Sequence, residues 1–301
     1  MKELVVLSGK GGTGKTSVTA ALAALGAGEL LADCDVDAAN LHLVLGTHGE
    51  AAHPFVSGHT AVIRTDDCSD CGECAGLCRF GAILAETVAG GIRFRVDPIA
   101  CEGCGVCVHF CPSGAIDFPS RTCGWWGASR TRFGALIHAA LDVGAENSGK
   151  LVTLVREQAR KAATAAGADL VLVDGPPGIG CPVTASLTGA DLALLVTEPS
   201  LPALHDLRRI RELARHFAVP VVVCINKWDL NPRLSDRIAE FCRGQGIPVV
   251  GRIPFDPLAG DAQIAGLSLV EFAPESPAAA ALAALWDDIS GVLAAAPQPK
   301  G

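Results

Sequence analysis

The stretch "LSGKGGTGKTSV", residues 7–18, decides the fold of this chain. From Gly9 to Thr16 it fits the pattern G-x-x-x-x-G-K-[ST], with a predicted buried strand at 3–7 (ELVVL) before it and an Ala/Leu-rich helical run from about Thr16 to Leu25 after it. A strand, a glycine loop and a helix in this order are the context of a phosphate-binding loop. We therefore predict a nucleotide site here rather than a Gly-rich turn with solvated lysines.

The residue types in this loop predict which atoms contact the nucleotide. Backbone N–H groups from Gly11 to Lys15 surround the phosphates, helped by the N-terminus of the following helix. The Lys15 ammonium reaches the β and γ oxygens, and the Thr16 hydroxyl binds Mg²⁺. The predicted nucleotide contacts in the loop are Gly9, Gly11, Gly12, Thr13, Gly14, Lys15, Thr16 and Ser17.

The rest of the chain alternates apolar and helical segments. Strand-like runs recur at 29–32, 169–173, 192–197, 219–225 and 249–253, and helical patterns occupy 150–166, 202–217 and 232–243. Continuously apolar strands that alternate with helices are typical of a parallel sheet covered on both faces. We predict an α/β fold with a doubly wound, mostly parallel sheet.

Between about His53 and Phe118 the pattern changes to short segments rich in Cys and Gly. This region contains an internal repeat, "CSDCGECAGLCRFGAI" at 68–83 and "CEGCGVCVHFCPSGAI" at 101–116, offset by 33 residues. We predict a small inserted α+β domain, residues 53–118, in a host domain formed by 1–52 and 119–301. The histidine-rich residues 42–59 before it are interpreted as a solvated connector, and the tail 294–301 is expected to fray.

Eight of the 13 cysteines follow the spacing C-x₂-C-x₂-C-x₃-C twice, which is the run of bacterial ferredoxins. In that run three thiolates hold one [4Fe-4S] cluster and the fourth cysteine holds the other cluster. We predict two clusters, one held by Cys68, Cys71, Cys74 and Cys111 and the other by Cys101, Cys104, Cys107 and Cys78. Zinc is the alternative, although zinc sites use two pairs of cysteines per ion. Arg79 stands where the ferredoxin pattern has proline, which predicts that one cluster is tuned differently.

Composition restricts the partners and the compartment. The chain has 301 residues, half of them apolar, and a formal charge of -8 without any Lys/Arg block. We therefore expect no nucleic-acid partner. No apolar run approaches the roughly 18 residues of a membrane span, and too few apolar residues precede the loop for a signal peptide. We expect a cytoplasmic protein without a stable membrane anchor, in which many cysteines indicate metal or redox chemistry.

A second lysine in the loop carries a resemblance to a known family. "KGGTGKT", residues 10–16, resembles the deviant Walker A loop of the MinD/ParA superfamily, which includes the nitrogenase iron protein and the Mrp-type iron-sulfur carriers. In that family the additional lysine, here Lys10, reaches the nucleotide of the other subunit. The resemblance implies an ATP-dependent homodimer that binds ATP or ADP with Mg²⁺.

Four further segments are similar to this family in the same order. "DCDVDAANL" (33–41) resembles the first switch, with Asp35 orienting the attacking water, and "VLVDGPPG" (171–178) resembles the second, with Asp174 holding a water of Mg²⁺. Asp33 and Asp37 stay open between a site role and simple capping. The implied catalytic set is Lys10, Lys15, Asp35 and Asp174.

The adenine-recognition segments of the family resemble "INKWDLN" (225–231) and "IPFD" (253–256). This resemblance implies adenine contacts by Asn226, Pro254 and Asp256. Of the remaining cysteines, Cys34, Cys224 and Cys242 are expected in the core. Cys181 lies seven residues after Asp174, at the spacing where the nitrogenase iron protein carries a ligand of a cluster shared between subunits. Whether Cys181 is a functional or a structural thiol stays open.

Three functions are compatible with these features. The first is an ATPase that couples nucleotide state to electron transfer through two [4Fe-4S] clusters, with an unidentified redox partner. The second is a carrier that assembles iron-sulfur clusters or delivers them to a receiving protein, although the C-terminal C-x-x-C of Mrp-type carriers is absent. The third is a MinD-like positional switch in cell division with redox input, although the tail lacks a basic amphipathic helix.

Overall fold

The computed structural model describes residues 1–27, 29–146 and 148–295, without the side chain of Glu50. Most of the predicted frayed tail, residues 296–301, lies outside the described residues. The strands are β1 (Lys2–Ser8), β2 (Leu30–Asp33), β3 (His48–His59), β4 (Val62–Ile63), β5 (Ile83–Val88), β6 (Gly91–Val96), β7 (Ile116–Asp117), β8 (Ser120–Arg130), β9 (Ala135–Leu141), β10 (Leu170–Pro177), β11 (Leu192–Thr197), β12 (Val221–Asn226) and β13 (Val249–Ile253).

The helices occur between these strands and after the last of them. They are α1 (Lys15–Leu22), α2 (Leu41–Leu45), α3 (Glu73–Leu77), α4 (Val106–His109), α5 (Ser148–Ala166), α6 (Cys181–Leu187), α7 (Leu201–His216), α8 (Pro232–Gly244), α9 (Leu258–Ile264), α10 (Leu269–Phe272) and α11 (Pro277–Ala295). Helix α1 continues into a wider π-type turn, Ala23–Ala27.

The main sheet confirms the predicted mostly parallel α/β fold. In the described part of the chain it has nine strands, in the order β13-β12-β11-β1-β10-β2-β9-β8-β3. Every pair from β13 to β9 is parallel. Strand β1 lies between β10 and β11, and Leu4 to Leu7 are fully buried, because helices cover both faces of such a sheet. The apolar run before the glycine loop is therefore the central strand.

Helix α11 packs on the core of the main sheet. Leu282, Leu285 and Ile289 are buried in the same apolar cluster as Leu4 and Leu194. Among the described residues it is also the one helix whose length and composition are sufficient to cross a membrane, with a mean hydropathy of 1.4.

Contacts divide the chain into two compact units. The first comprises Met1–His53, Trp126–Ala140 and Ser148–Gly301, and the second comprises Pro54–Trp125 and Leu141–Asn147. The second unit therefore includes short segments that the sequence assigned to the host domain.

The sequence repeat of the second unit is also a structural repeat. It contains two short helices, α3 and α4, which begin after Gly72 and Gly105. Both glycines have a positive φ, 77° and 74°. Its small sheets pair β4 with β7 and β5 with β6, both antiparallel.

The connector interpretation of the histidine-rich segment was wrong. Residues 48–59 form strand β3, which contains His48, His53 and His59, and His42 lies in α2. The His53 ring stacks on Trp126 with 4.6 Å between ring centroids. The strand forms because its backbone groups pair with β8 in the main sheet, and such distant pairing leaves little local signal in a polar stretch.

Candidate nucleotide site

The predicted nucleotide residues converge at the carboxyl edge of the main sheet. Parallel strands end on the same side, where ligands bind in open α/β sheets. A pocket of about 640 Å³ lies there, within the usual size of ligand sites. Its lining includes these predicted residues: Gly11, Gly12, Thr13, Gly14, Lys15, Thr16, Ser17, Asp35, Asn226, Pro254 and Asp256. Of the remaining predicted residues, Gly9, Lys10 and Asp174 are not part of the lining.

The loop conformation requires glycine at two positions. Gly14 has a φ of 87°, in the left-handed region that favours glycine, and a Cβ there would lie 2.3 Å from Nδ2 of Asn226. A Cβ at Gly9 would lie 2.2 Å from Cβ of Asp206. Close packing against neighbouring strands and helices therefore selects these glycines.

Lys15 is the buried cation of the site. Its Nζ lies 2.9 Å from Oδ1 of Asp174 and 3.5 Å from Oδ2 of Asp35, and its side chain is only 6% exposed. Burial lowers the pKa of Lys15, but the nearby carboxylates, above all Asp174, raise this pKa more, so that it lies above its ordinary value. Lys15 therefore keeps its positive charge at neutral pH, as its predicted contact with phosphate requires.

A hydroxyl and a carboxylate lie next to this lysine. Thr16 Oγ1 donates to Oδ2 of Asp174 at 2.8 Å, and Thr19 Oγ1 donates to Oδ1 at 2.7 Å. Asp174 is fully buried, so these contacts and Lys15 fix its orientation. A loop Thr and a strand Asp are the donors that hold Mg²⁺ in P-loop NTPases, so the residues present fit this ion.

Asp33 and Asp35 differ in role. The Asp33 carboxylate accepts hydrogen bonds from the backbone N–H groups of Asp35 and Leu41, both at 3.1 Å. Burial, together with the charge of Asp174, raises the pKa of Asp33 to about 7. Asp33 thus caps the loop that leads to α2, whereas Asp35 lines the pocket and Asp37 is exposed.

Asn226 lines the pocket but uses its polar atoms on the loop. Its Nδ2 donates to the carbonyl oxygen of Thr13 at 2.7 Å, and its Oδ1 accepts from the N–H of Lys227 at 3.0 Å. Lys227 Nζ in turn donates to the carbonyl oxygen of Gly12 at 2.9 Å. These contacts tie the carboxyl end of β12 to the glycine loop, and an adenine contact by Asn226 stays a prediction.

Two further residues of this region, Gln263 and Lys227, were not among the predicted site residues. Gln263, on α9, lines the pocket and donates from Nε2 to Oγ of Ser17 at 2.7 Å. Lys227 directly follows Asn226 and could have been found as part of the same segment.

The eight cysteines of the two repeats surround two separate cavities of the second unit. One is lined by Cys68, Cys71, Cys74 and Cys111, and the other by Cys78, Cys101, Cys104 and Cys107. Each set therefore combines three cysteines of one repeat with the fourth of the other. Within the described ranges, no three or more His, Cys, Asp or Glu side chains are arranged to hold a single metal ion.

The other cysteines divide by burial. Cys34, Cys224 and Cys242 are buried, as expected for core residues. Burial raises the pKa of Cys224 to about 12 and that of Cys242 to about 11, so both stay unreactive thiols. Cys181 is exposed at the start of α6.

Comparison with known proteins identifies the class. Residues 4–269 match the family described as the CobQ/CobB/MinD/ParA nucleotide binding domain, and the chain belongs to this family. It is 35% identical over 232 residues to the uncharacterized protein MJ0578 of Methanocaldococcus jannaschii, covering 76% of this chain and 79% of that protein. The predicted MinD/ParA family is thus confirmed.

Two solved structures show the same fold. The septum site-determining protein MinD of Pyrococcus horikoshii, complexed with Mg-ADP, has a TM-score of 0.58 and 21% identity, with 97% of each chain covered. The MinC:MinD cell division complex of Aquifex aeolicus gives 0.56 and 19%, with 97% of this chain and 96% of that chain covered. None of these three proteins is named as an iron-sulfur protein, so the clusters stay a prediction.

Proposed function

We propose that the chain is an ATP-hydrolysing switch of the MinD type that works as an ATP-dependent homodimer. The observation that carries this proposal is the buried Lys15 beside Asp174, Thr16 and Asp35 at the mouth of a pocket of nucleotide size. Among the three predicted functions, the MinD-like switch has the strongest support because the family and the fold are those of MinD and ParA proteins. The Mg-ADP complex of a protein with this fold supports the choice of nucleotide and ion.

The site residues have distinct roles in this proposal. Bound Mg-ATP supplies the phosphoryl group that is transferred to water. Lys15 and the loop N–H groups neutralise phosphate charge, and Thr16 and Asp174 hold Mg²⁺. Asp35 orients the attacking water. Without nucleotide, Asp174 is held by Lys15, Thr16 and Thr19. Lys15 and Thr16 therefore exchange these contacts for phosphate and Mg²⁺ when the nucleotide binds.

Lys10 supports the dimer. It does not line the pocket of its own subunit, and its side chain is 37% exposed, with Nζ 2.6 Å from Oε1 of Glu198. A partly exposed lysine in this position can contribute to the pocket of a second subunit, where a cation on the transferring phosphate stabilises charge as an arginine finger does.

Lys10→Ala tests the proposal. We expect nucleotide binding to persist, ATP-dependent dimerisation to disappear and hydrolysis to fall by about 10³-fold, the lower end for an arginine finger. Sedimentation velocity with an ATP analogue and phosphate release give the two readouts. Lys161→Ala removes an exposed lysine of α5 and is expected to behave as the wild type. Wild-type hydrolysis by Lys10→Ala would contradict the proposal.

The second candidate function concerns residues 53–118, which we propose as a ferredoxin-like domain with two [4Fe-4S] clusters. Each of the two cavities is lined by three cysteines of one repeat and the fourth cysteine of the other repeat. This arrangement supports the proposal, because each cluster of a bacterial ferredoxin is held by such a combination. Bound clusters of this kind carry single electrons. We propose that nucleotide state is coupled to electron exchange with a redox partner, and cluster delivery to a receiving protein is the alternative.

Redox potentials separate these alternatives. Coupling is reciprocal, so a nucleotide that binds oxidised and reduced protein differently must shift the potential. A tenfold difference in affinity corresponds to about 59 mV for one electron. We expect the ATP analogue to lower at least one potential by a few tens of mV relative to ADP or no nucleotide. Equal potentials and equal affinities in all states would contradict electron coupling and favour a carrier or a positional switch.

A further inference from the structure

Three adjacent strands of the main sheet bring two lysines and one glutamate together. The order β12-β11-β1 places β11 between its two neighbours. Glu198 directly follows β11, Lys227 directly follows β12, and Lys10 lies two residues beyond the end of β1. Because these strands are parallel, their carboxyl ends meet at one edge. The glutamate of the middle strand therefore lies between the two lysines.

Both lysines contact the same carboxylate, but unequally. Lys10 Nζ lies 2.6 Å from Oε1 of Glu198, and Lys227 Nζ lies 3.7 Å from Oε2. Lys227 has a second partner, the carbonyl oxygen of Gly12, at 2.9 Å. Lys10 is thus the closer partner of Glu198, whereas Lys227 is also held by the glycine loop.

We propose that Glu198 is a positioning residue that holds Lys10 against its own subunit until a second subunit binds. This inference rests on the proposed function, in which Lys10 acts across the dimer. In this proposal the Lys10 ammonium leaves Glu198 when it contacts the partner's nucleotide. Subunits in which Glu198 holds Lys10 are therefore not ready to dimerise, and their presence lowers the apparent affinity of one subunit for the other.

The release of Lys10 leaves no isolated charge at this edge. When Lys10 moves to the partner, Glu198 keeps Lys227 as its counter-ion, and Lys227 keeps its hydrogen bond to Gly12. The side chain of Glu198 is 19% exposed, so water also solvates the carboxylate. The free-energy difference between Lys10 bound to Glu198 and Lys10 released from it is therefore small, as a reversible switch requires.

Glu198→Gln tests this inference by removing the charge that holds Lys10. With a non-hydrolysable ATP analogue we expect the dimer to bind about two- to fivefold more tightly, the range of a partly exposed ion pair. Sedimentation velocity measures the dimer, and a fluorescent nucleotide measures the affinity of the monomer, which we expect to remain unchanged.

Asp206→Asn is the matched control. It also removes one negative charge near the glycine loop, because Asp206 lies against Gly9, but among the described residues Asp206 pairs with His205 and not with a lysine. We expect its dimer affinity to equal that of the wild type. Equal tightening by both variants would instead identify general repulsion between two chains of charge -8 and overturn the inference.

The remaining outcomes are also decisive. An unchanged or weaker dimer in Glu198→Gln would overturn the inference. A loss of nucleotide affinity in the monomer would also overturn it, because Glu198 would then act by supporting the contact between Lys227 and the glycine loop. If Lys10→Ala still forms the ATP-dependent dimer, the proposed function itself fails. Failure of dimerisation in Lys10→Ala together with unchanged Glu198→Gln would contradict only the inference.

Discussion

Replacement of Lys15 by alanine is expected to abolish nucleotide binding. Lys15 is the buried counter-charge of Asp174 and Asp35. Without it, two carboxylates face the phosphates of the nucleotide, and removing one partner of a hydrogen-bonded charge pair at a binding site costs about 3–5 kcal/mol of binding free energy. The affinity for ATP should therefore fall at least about 100-fold. Isothermal titration calorimetry with ATP and Mg²⁺ measures this loss.

The folded state needs its own control in this experiment. The variant leaves the carboxylate of Asp174 without its cation, so circular dichroism of the nucleotide-free protein must show an intact fold. Lys15→Arg keeps the charge, but its planar guanidinium does not fit the place of a compact ammonium, and we expect weak binding in this variant as well. If Lys15→Ala binds ATP within tenfold of the wild type, the assignment of the site is wrong.

Anaerobically isolated protein is expected to contain about eight iron and eight sulfide per chain, because each of two cubes has four of both. Iron and acid-labile sulfide analysis give these numbers directly. Cys181→Ser should leave the count unchanged if this exposed thiol holds no cluster. Four iron, or stoichiometric zinc in place of iron, would contradict the proposal of two clusters.

Paired substitutions test the crossed arrangement of the ligands. Cys111 and Cys71 line the same cavity, so the double variant Cys111→Ser with Cys71→Ser should retain one cluster and about four iron. Cys104 lines the other cavity, so Cys111→Ser with Cys104→Ser should lose both clusters. The opposite result, with four iron only in the second variant, would show that each repeat binds its own cluster.

Most of the framework of the nucleotide site could be predicted from local sequence. The predicted strand 3–7 lies within β1, and the strands predicted at 192–197 and 249–253 have the bounds of β11 and β13. The apolar residues 4–7 and strand β11 are buried throughout, as expected for continuously apolar strands of a sheet covered on both faces. The position of Lys15 and Thr16 after the glycines follows from the same stretch.

Contacts between distant residues could not be predicted in this way. The side-chain amide of Asn226 donates to the carbonyl oxygen of Thr13, which is 213 residues away, and its adenine contact stays a prediction. The sequence left Asp33 open between a site role and capping, and in the structure its carboxylate accepts hydrogen bonds from the N–H groups of Asp35 and Leu41. A polar side chain takes whichever donors and acceptors the fold brings near it, and spacing in sequence does not specify them.

The amino-acid sequence by itself determined the family, the parallel sheet and the loop with Lys10 and Lys15, because glycine conformation and apolar periodicity act over short distances. It also determined the spacing of the eight cysteines. Only the tertiary structure decided that Glu198 lies between Lys10 and Lys227. These neighbours come from the order of the strands, which depends on burial in the whole fold.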